Sequence, residues 1–421
     1  MQPLAQDKPI FSFYGDDFTG STDALEALVS NGVPSVLFLR PPDARDLREF
    51  GGCRAVGIAG DSRSRSPAWM REALPAVFGR LRDIGAPVVQ YKVCSTFDSS
   101  PEVGSIGCAL EIGREVFQVP SVPVVPAAPL LERYVVFGNL FAAGGGAVHR
   151  IDRHPSMKDH PVTPMSESDL RLHLARQTGL RQALVNIVDL RADGVPFPED
   201  AGVVLFDGLE PPDLERAAGM IWQHRHAPQT FVVGSSGFTY GMLGYWRAQG
   251  WLAEPSGCAA ATPTGRLLVL AGSCSPATGR QIRRALRAGF HGIRLDPAAL
   301  DPPAAEAEAL AHLAAGRSVI LYSALGPADR VEVGDRHAFA AGMGRLLRNV
   351  ILASGVTRVA VAGGDTASHA VQELGITALT FAATLARGVP LCRAHGWPGH
   401  LELALKGGQV GSEDFFLEAL S

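Results

Sequence analysis

The sequence predicts an α/β protein of two domains, each built on a mainly parallel sheet, and three observations predict it. Short, almost continuously apolar runs alternate with helix-length segments along the chain, as expected for strands covered on both faces and joined by crossover helices. That alternation breaks between Trp251 and Gly265, where Pro255-Ser-Gly and Pro263-Thr-Gly intervene, and then restarts. The chain also has 421 residues, well beyond the ~150 that serve as a prior for one domain. We read the domains as 1–255 and 262–421.

The first domain opens with strands expected at Phe11–Tyr14, Ser35–Leu39, Ala55–Ala59 and Val88–Tyr91, each a β-branched or aromatic run bounded by turn residues. Between the first two, Ser21–Ser30 places Leu25, Leu28 and Val29 on one helical face and stops at Asn31-Gly32. Further strands are expected at Tyr134–Phe137, Ala183–Val188, Val203–Phe206 and Thr230–Val233. The most apolar stretch, Val122 to Leu131, is interrupted by Pro123, Pro126 and Pro129 and receives no element. Gly144 to Pro164 is polar and rich in His, Pro and Gly, and reads as a long loop of the kind that carries function or moves. The second domain has strands at Leu267–Ala271, Gly292–Leu295, Ser318–Tyr322, Arg358–Ala362 and Leu401–Leu405, with a helix at Thr366–Leu374 ended by Gly375.

Composition narrows the function. A net charge of −4 gives no overall positive field toward nucleic acid or anionic lipid. No run approaches the ~18 apolar residues of a membrane span. The six cysteines, at 53, 94, 108, 258, 274 and 392, form no CxxC pair and no zinc or disulfide pattern. A reduced, cytoplasmic protein is expected. The 47 glycines exceed the usual ~7% without any collagen period, so they mark tight turns and close backbone approaches.

Several glycines fall where strands hand over to helices, and these junctions carry the polar residues. Tyr14-Gly-Asp-Asp-Phe-Thr-Gly-Ser-Thr-Asp23 leaves the first strand at its carboxyl end, where open α/β sheets bind ligands. Asp16 or Asp17 could take a proton from a substrate hydroxyl, with Thr19, Gly20 and Ser21 offering donors; the alternative is helix capping, and two adjacent Asp followed by Thr-Gly-Ser favour the functional reading. Lys92, Ser95 and Thr96 follow the fourth strand and suit a polyhydroxylated anion, while Cys94 has no histidine placed beside it as a nucleophile requires. In the proline-rich stretch from Arg150 to Met165, Arg153, His154, Lys158 and His160 form either a solvated basic loop or a carboxylate-binding one. The His and Asp spacing there matches no standard metal site. Asp61-Ser-Arg63 is a shorter candidate of the same kind.

In the second domain Ala271-Gly-Ser-Cys-Ser-Pro-Ala-Thr278, Ala362-Gly-Gly-Asp-Thr-Ala367 and Lys406-Gly-Gly-Gln-Val-Gly411 each follow a strand. Such turns expose backbone N–H groups and the positive end of a helix, which suits phosphate. Together they favour a nucleotide site. No GxxxxGK[ST] loop is present, and no GxGxxG follows a strand, so Walker-type and dinucleotide sites lose support.

These residues resemble the four-carbon acid sugar kinase family. The resemblance rests on Gly15-Asp-Asp-Phe-Thr-Gly20, Asp61-Ser-Arg63, Lys92 with Cys94-Ser-Thr-Phe-Asp98, and His160-Pro-Val-Thr-Pro-Met165. It continues through Val233-Gly-Ser-Ser-Gly237, Gly272-Ser-Cys-Ser275, Gly363-Gly-Asp-Thr366 and Leu405-Lys-Gly-Gly408, in family order over nearly the whole chain. It implies an acid-sugar-binding domain at 1–255, a nucleotide-binding domain at 262–421 and an active site in the inter-domain cleft. It also implies ATP-dependent phosphorylation of a terminal hydroxyl, with Mg²⁺ riding on ATP, small-molecule partners only, and compatibility with a homo-oligomer.

Cys94-Ser-Thr-Phe-Asp98 is similar to the branch that acts on 3-oxo acids. Ser100-Pro-Glu-Val-Gly-Ser-Ile-Gly107 and Arg153-His-Pro-Ser-Met-Lys-Asp-His160 depart from the forms expected for a linear 3-oxo-tetronate, which turns the expectation toward the branched 3-oxo-isoapionate. On this reading Asp16 or Asp17 is the general base, and Thr19, Arg63, Lys92, Ser95, Thr96, Arg153 and His160 hold the acid sugar. Ser273, Gly363, Gly364, Asp365, Thr366 and Gly408 cradle the nucleotide, and no metal ligand is assigned. An NAD-dependent acid-sugar dehydrogenase and a non-catalytic sugar-acid sensor are the competing classes; the first lacks its glycine fingerprint and the second needs no ATP site.

Overall fold

The computed structural model describes residue 4 and residues 8–160, 162–225, 229–255, 260–297, 300–329, 336–386 and 388–421, without the side chains of residues 336, 337 and 365–367. The chain divides into two compact units. The first comprises Met1–Asp16, Ala27–Ser35 and Pro41–Ser256; the second comprises Asp17–Glu26, Val36–Arg40 and Gly257–Ser421.

The chain begins with β1 (Phe11–Gly15), α1 (Phe18–Ser30), β2 (Ser35–Phe38), α2 (Ala44–Glu49), β3 (Ala55–Ala59), α3 (Pro67–Ile84), β4 (Val88–Lys92), α4 (Ile106–Phe117) and β5 (Val122–Val125). A hairpin pair follows, β6 (Arg133–Val136), β7 (Asn139–Gly144) and β8 (Ala147–Arg150), then α5 (Leu170–Ala175), β9 (Gln182–Val185), α6 (Ile187–Arg191), β10 (Val203–Phe206), α7 (Pro211–Gln223), β11 (Thr230–Gly234) and α8 (Ser236–Ala248). In the first unit the strands run in the order β3-β1-β4-β11-β5-β10-β9, every pair parallel. Their residues are almost wholly buried, as the continuous apolar runs require of a sheet covered on both faces. The path leaves β1 toward β3 on one side and returns to β4 on the other. The carboxyl ends of β1 and β4 therefore flank a topological switch point, where open α/β sheets leave a crevice.

Three stretches of the first unit after β4 differ from the sequence reading. Val122–Val125 is a strand despite Pro123: β5 pairs with β11 only through Val124 and Val125, so that ladder starts after the residue lacking an N–H. The strand expected at Ala183–Val188 stops at Val185, because the Asn186 side chain accepts the N–H groups of Val188 and Asp189 and starts α6. The expected loop from Gly144 is in part a strand, since β6, β7 and β8 form an antiparallel sheet.

The second unit adds β12 (Leu268–Ala271), α9 (Pro276–Arg287), β13 (His291–Arg294), α10 (Pro302–Ala314), β14 (Val319–Tyr322), α11 (Arg336–Ser354), β15 (Arg358–Ala362) and α12 (Gly364–Glu373). It ends with β16 (Ala378–Ala386), β17 (Val389–His395), β18 (Glu402–Lys406) and α13 (Phe415–Glu418). Its strands run β13-β14-β12-β15-β18-β17-β16-β2. The first five are mutually parallel, and β17, β16 and β2 continue the sheet with antiparallel pairings. The β16–β17 hairpin was not anticipated. One core joins Leu267, Val269, Ile282, Ile320, Ala360, Leu391 and Phe415. The chain goes from β12 outward to β13, back to β14 and then across to β15, so the carboxyl ends of β12 and β15 flank a second switch point. Among the described residues no helix is long and apolar enough to cross a membrane.

Candidate active site

In the first unit, the turns after β1, β3 and β4 are stitched together through their backbones. Asp16 N–H donates to the Lys92 carbonyl (2.9 Å), and Arg63 N–H donates to the Asp16 carbonyl (3.1 Å). Asp16 and Lys92 are buried at the switch point. Beneath them Tyr14 and Tyr91 stack with ring centroids 5.8 Å apart, and the Tyr91 hydroxyl meets Ser62 Oγ at 2.9 Å. Burial pushes both phenols above their ordinary value, so these rings support the turns as neutral groups.

Three of the residues expected to bind acid sugar, Arg63, Thr96 and His160, gather around Asp98, which the sequence reading quoted in a motif but did not assign. Arg63 Nη2 donates to Asp98 Oδ2 at 2.6 Å, and the carboxylate side chain is fully buried. Thr96 Oγ1 donates to Asp98 Oδ1, and Thr163 Oγ1 donates to Oδ2 at 3.2 Å. Thr163 in turn contacts His160 Nδ1 through both its N–H and its hydroxyl, each at 3.1 Å. Burial alone would raise the Asp98 carboxyl, but the Arg63 and His160 charges and the Thr96 hydroxyl together hold it below the ordinary carboxylate value. The Arg63 side chain is part-exposed and anchored on Asp98 through Nη2, and a guanidinium is the side-chain group suited to carboxylate recognition.

Two backbone features set this geometry. Phe97 holds φ of +55°, a left-handed conformation that is strained for a bulky side chain and turns Asp98 back toward Arg63. Gly104 has φ of +61°, and a Cβ there would lie 2.4 Å from the Arg63 carbonyl. Behind the turn, Ser99, His173 and Gln177 form a triangle of hydrogen bonds 2.8–3.0 Å long. Burial pushes the His173 imidazole down to about 4, so it serves this network uncharged. Ser95 is buried in the same turn. Arg153 is largely exposed, 4.0 Å from Asp152, and Lys158 is exposed beside Asp159; of the loop cations, His160 is the one brought to Asp98.

Asp17 and Thr19 belong to the second unit, so the chain passes between units at the Asp16–Asp17 peptide bond. Helix α1 starts at Phe18, three residues before its expected start, because Asp17 Oδ1 accepts the Gly20 N–H at 2.6 Å. Thr19 Oγ1 donates to Asp17 Oδ2 at 2.9 Å. Capping and chemistry are thus compatible: one carboxylate oxygen holds the helix, and the other faces the glycine turn after β15. A Cβ on Gly364 would lie 3.2 Å from that Oδ2.

The three glycine junctions of the second unit meet at the carboxyl ends of the adjacent strands β12, β15 and β18. Gly272 N–H donates to the Ala362 carbonyl (3.1 Å) and Gly363 N–H to the Lys406 carbonyl (2.8 Å). Gly363 caps α12 with φ of +117°, a conformation open to glycine. A Cβ on Gly408 would lie 2.7 Å from Ser273 Oγ, so these two expected nucleotide contacts are neighbours. Asp365 and Thr366 lie in α12 with side chains outside the described residues. Of the cysteines, 53, 94, 108, 274 and 392 are free thiols, and Cys258 lies outside the described residues.

Sequence reasoning also passed over Lys406, the first residue of its own glycine motif. Its ammonium is buried and surrounded by oxygens: Thr278 Oγ1 at 3.2 Å and the carbonyls of Gly407, Val410 and Gly408 at 2.9, 3.1 and 3.5 Å. Ser275 Oγ and Thr278 Oγ1 both donate to the same Gly408 carbonyl, and Gln281 Nε2 donates to the carbonyls of Val410, Gly411 and Ser412. The carbonyls of Gly407, Gly408, Val410, Gly411 and Ser412 are thereby held by side chains of this unit, an arrangement in which a glycine turn can offer N–H groups to an anion. Burial pushes the Lys406 amine down to about 7.

Comparison with known proteins bears on both units. Residues 11–242 match the family model of a sugar-binding N-terminal domain, and residues 268–416 match that of a nucleotide-binding C-terminal domain. A 3-oxo-isoapionate kinase from Paraburkholderia graminis is 46% identical, with 97% of this chain and 93% of the relative covered. A 3-oxo-tetronate kinase from Methylobacterium radiotolerans is 35% identical over 96% of this chain and 97% of its own, and one from Cupriavidus necator 32% identical over 98% and 97%. A solved structure from Salmonella typhimurium LT2 superposes with a TM-score of 0.78 at 28% identity, covering 97% of this chain and 98% of that one. The Haemophilus influenzae protein HI1011 gives a TM-score of 0.69 at 25% identity over the same shares.

Proposed function

Because the chain belongs to the four-carbon acid sugar kinase family, we propose that it transfers the γ-phosphoryl group of ATP to the terminal hydroxyl of a 3-oxo acid sugar. The substrate favoured is 3-oxo-isoapionate, giving its 4-phosphate, and the alternative is 3-oxo-tetronate. One observation carries the choice: identity reaches 46% with a relative named for the branched acid, against 35% and 32% with relatives named for the linear one.

The domain at 1–255 holds the acid sugar and the one at 262–421 holds the nucleotide. Arg63, anchored by Asp98, and Lys92 bind the carboxylate and keto oxygen, with Ser95, Thr96 and His160 around them. Ser273, Gly363, Gly364 and Gly408 form a backbone cradle for phosphate, with Asp365 and Thr366 beside it. Asp17, whose Oδ2 faces Gly364, orients and deprotonates the acceptor hydroxyl, and Asp16 is the alternative base. Mg²⁺ bound with ATP would spread the charge of the phosphoryl group. Both substrates are small metabolites of the cytoplasm.

ADP release coupled to a reporter, measured on both acids, tests the reading. A higher kcat/KM for 3-oxo-isoapionate supports it, and no acid-dependent ADP release would overturn it. Near-normal turnover in both Asp17→Asn and Asp16→Asn would remove the general-base role.

A further inference from the structure

A second cluster of ligand-type side chains lies in the nucleotide-binding unit, away from the glycine turns. His291 opens β13, and Glu308 and His312 sit four residues apart on α10, so they share one helix face. His291 Nε2 lies 2.7 Å from Glu308 Oε1, and the two imidazole rings face each other with centroids 3.3 Å apart, tilted by 20°. One ligand atom from each of the three residues falls within 4.8 Å of the others. His312 Nδ1 is shielded from water and has no hydrogen-bond partner among the described residues, a demand that folded proteins ordinarily satisfy.

Two imidazoles and a carboxylate are the donor set that holds Zn²⁺ and its neighbours in the first transition row, with a position left for water; Mg²⁺ and Ca²⁺ prefer all-oxygen sites. One ligand atom of each residue already lies within 4.8 Å of the others, so an ion that displaces the His291–Glu308 hydrogen bond can draw all three donors onto itself. We propose that His291, Glu308 and His312 form a binding site for a divalent transition metal of the Zn²⁺ class. The ion ties β13 to α10. Among the described residues β13 is outermost in its unit and pairs with β14 alone, so such a staple secures an edge of the sheet. His291 pairs with Val319 at the start of the parallel strands, whereas Ser273, Gly363 and Gly408 follow their ends. The ion is therefore distinct from the Mg²⁺ that accompanies ATP.

The test strips the full chain of metal with a chelator, then titrates Co²⁺ while recording visible d–d absorption and Zn²⁺ against a chromophoric competitor. The expected result is one high-affinity equivalent per chain. His312→Gln and Glu308→Gln each weaken it at least about tenfold, while circular dichroism and turnover with MgATP stay at wild-type values. Zn²⁺ raises the midpoint of thermal unfolding in the wild type and not in His312→Gln. The proposal is overturned if no saturable equivalent binds, or if folded His312→Gln and Glu308→Gln both bind Zn²⁺ as the wild type does. Glu308 is half-exposed, so its variant keeps the test decisive if replacing His312 disturbs packing.

Discussion

Replacing Lys406 by Met probes the buried amine under the glycine turn, and its signature is a change in how stability depends on pH. The folded pKa is pushed by burial to about 7, from an ordinary value of 10.5. Below pH 7 the amine is charged in both folded and unfolded chains, and the fold bears the full cost of burying it. Between the two values the unfolded chain binds more protons than the folded one, so stability rises with pH. The slope approaches ~1.4 kcal/mol per pH unit in that window. From pH 6 to pH 9 the wild type should therefore gain about 3 kcal/mol relative to Lys406→Met, whose side chain does not titrate. The four oxygens around Nζ favour the ammonium and oppose burial, so a stronger cage moves the rise to higher pH. Urea unfolding of both proteins at pH 6, 7, 8 and 9, followed by circular dichroism, reads the difference directly. A wild-type-minus-variant difference that stays flat within ~0.5 kcal/mol would refute a displaced amine.

Other perturbations separate the two ligand sites. Asp98→Asn removes the counter-charge that anchors Arg63; the KM for the acid sugar should rise at least about tenfold while the KM for ATP holds, and equal shifts in both would contradict the assignment. Because the Asp98 carboxyl is held below its ordinary value, its contribution is present above ~pH 4 and lost as pH falls further, so acid unfolding should be less steep in Asp98→Asn. Gly364→Val forces carbon against Asp17 Oδ2, where a Cβ alone would lie 3.2 Å away; calorimetry should show weakened ATP binding, and unchanged affinity in a folded variant would refute the nucleotide cradle. Gly104→Ala meets both a positive φ and the Arg63 carbonyl and should destabilise the fold by roughly 1–3 kcal/mol; a neutral effect in urea unfolding would show that the Arg63 turn yields easily.

Much of the fold was legible because parallel α/β sheets write themselves locally: β-branched runs buried on both faces need no distant partner to be recognised. β1, β3, β4, β10, β11 and β15 lie within a residue or two of their expected places. What escaped depended on pairing. Val122–Val125 received no element, and the register shows a strand there whose β11 ladder begins after Pro123. The β16–β17 hairpin likewise escaped: neither strand shows a clean alternation, and its pairing is broken by register shifts between Phe381 and Ala383 and between Thr384 and Ala386.

The site divides along the same line. The sequence by itself determined the residue types and their order: Asp16-Asp17 after the first strand, Lys92 with Ser95 and Thr96 after the fourth, and three glycine turns in the second half. Those follow from local chemistry, since ligands of open α/β sheets bind outside the carboxyl ends of the strands, where these residues fall. Only the tertiary structure decided that Asp98 is the hub joining Arg63 to Thr163, that Asp17 faces Gly364 rather than travelling with Asp16, and that Lys406 turns inward beneath the glycine loop. Burial, charge pairing and backbone approach depend on residues far apart in the chain, and no local pattern encodes them.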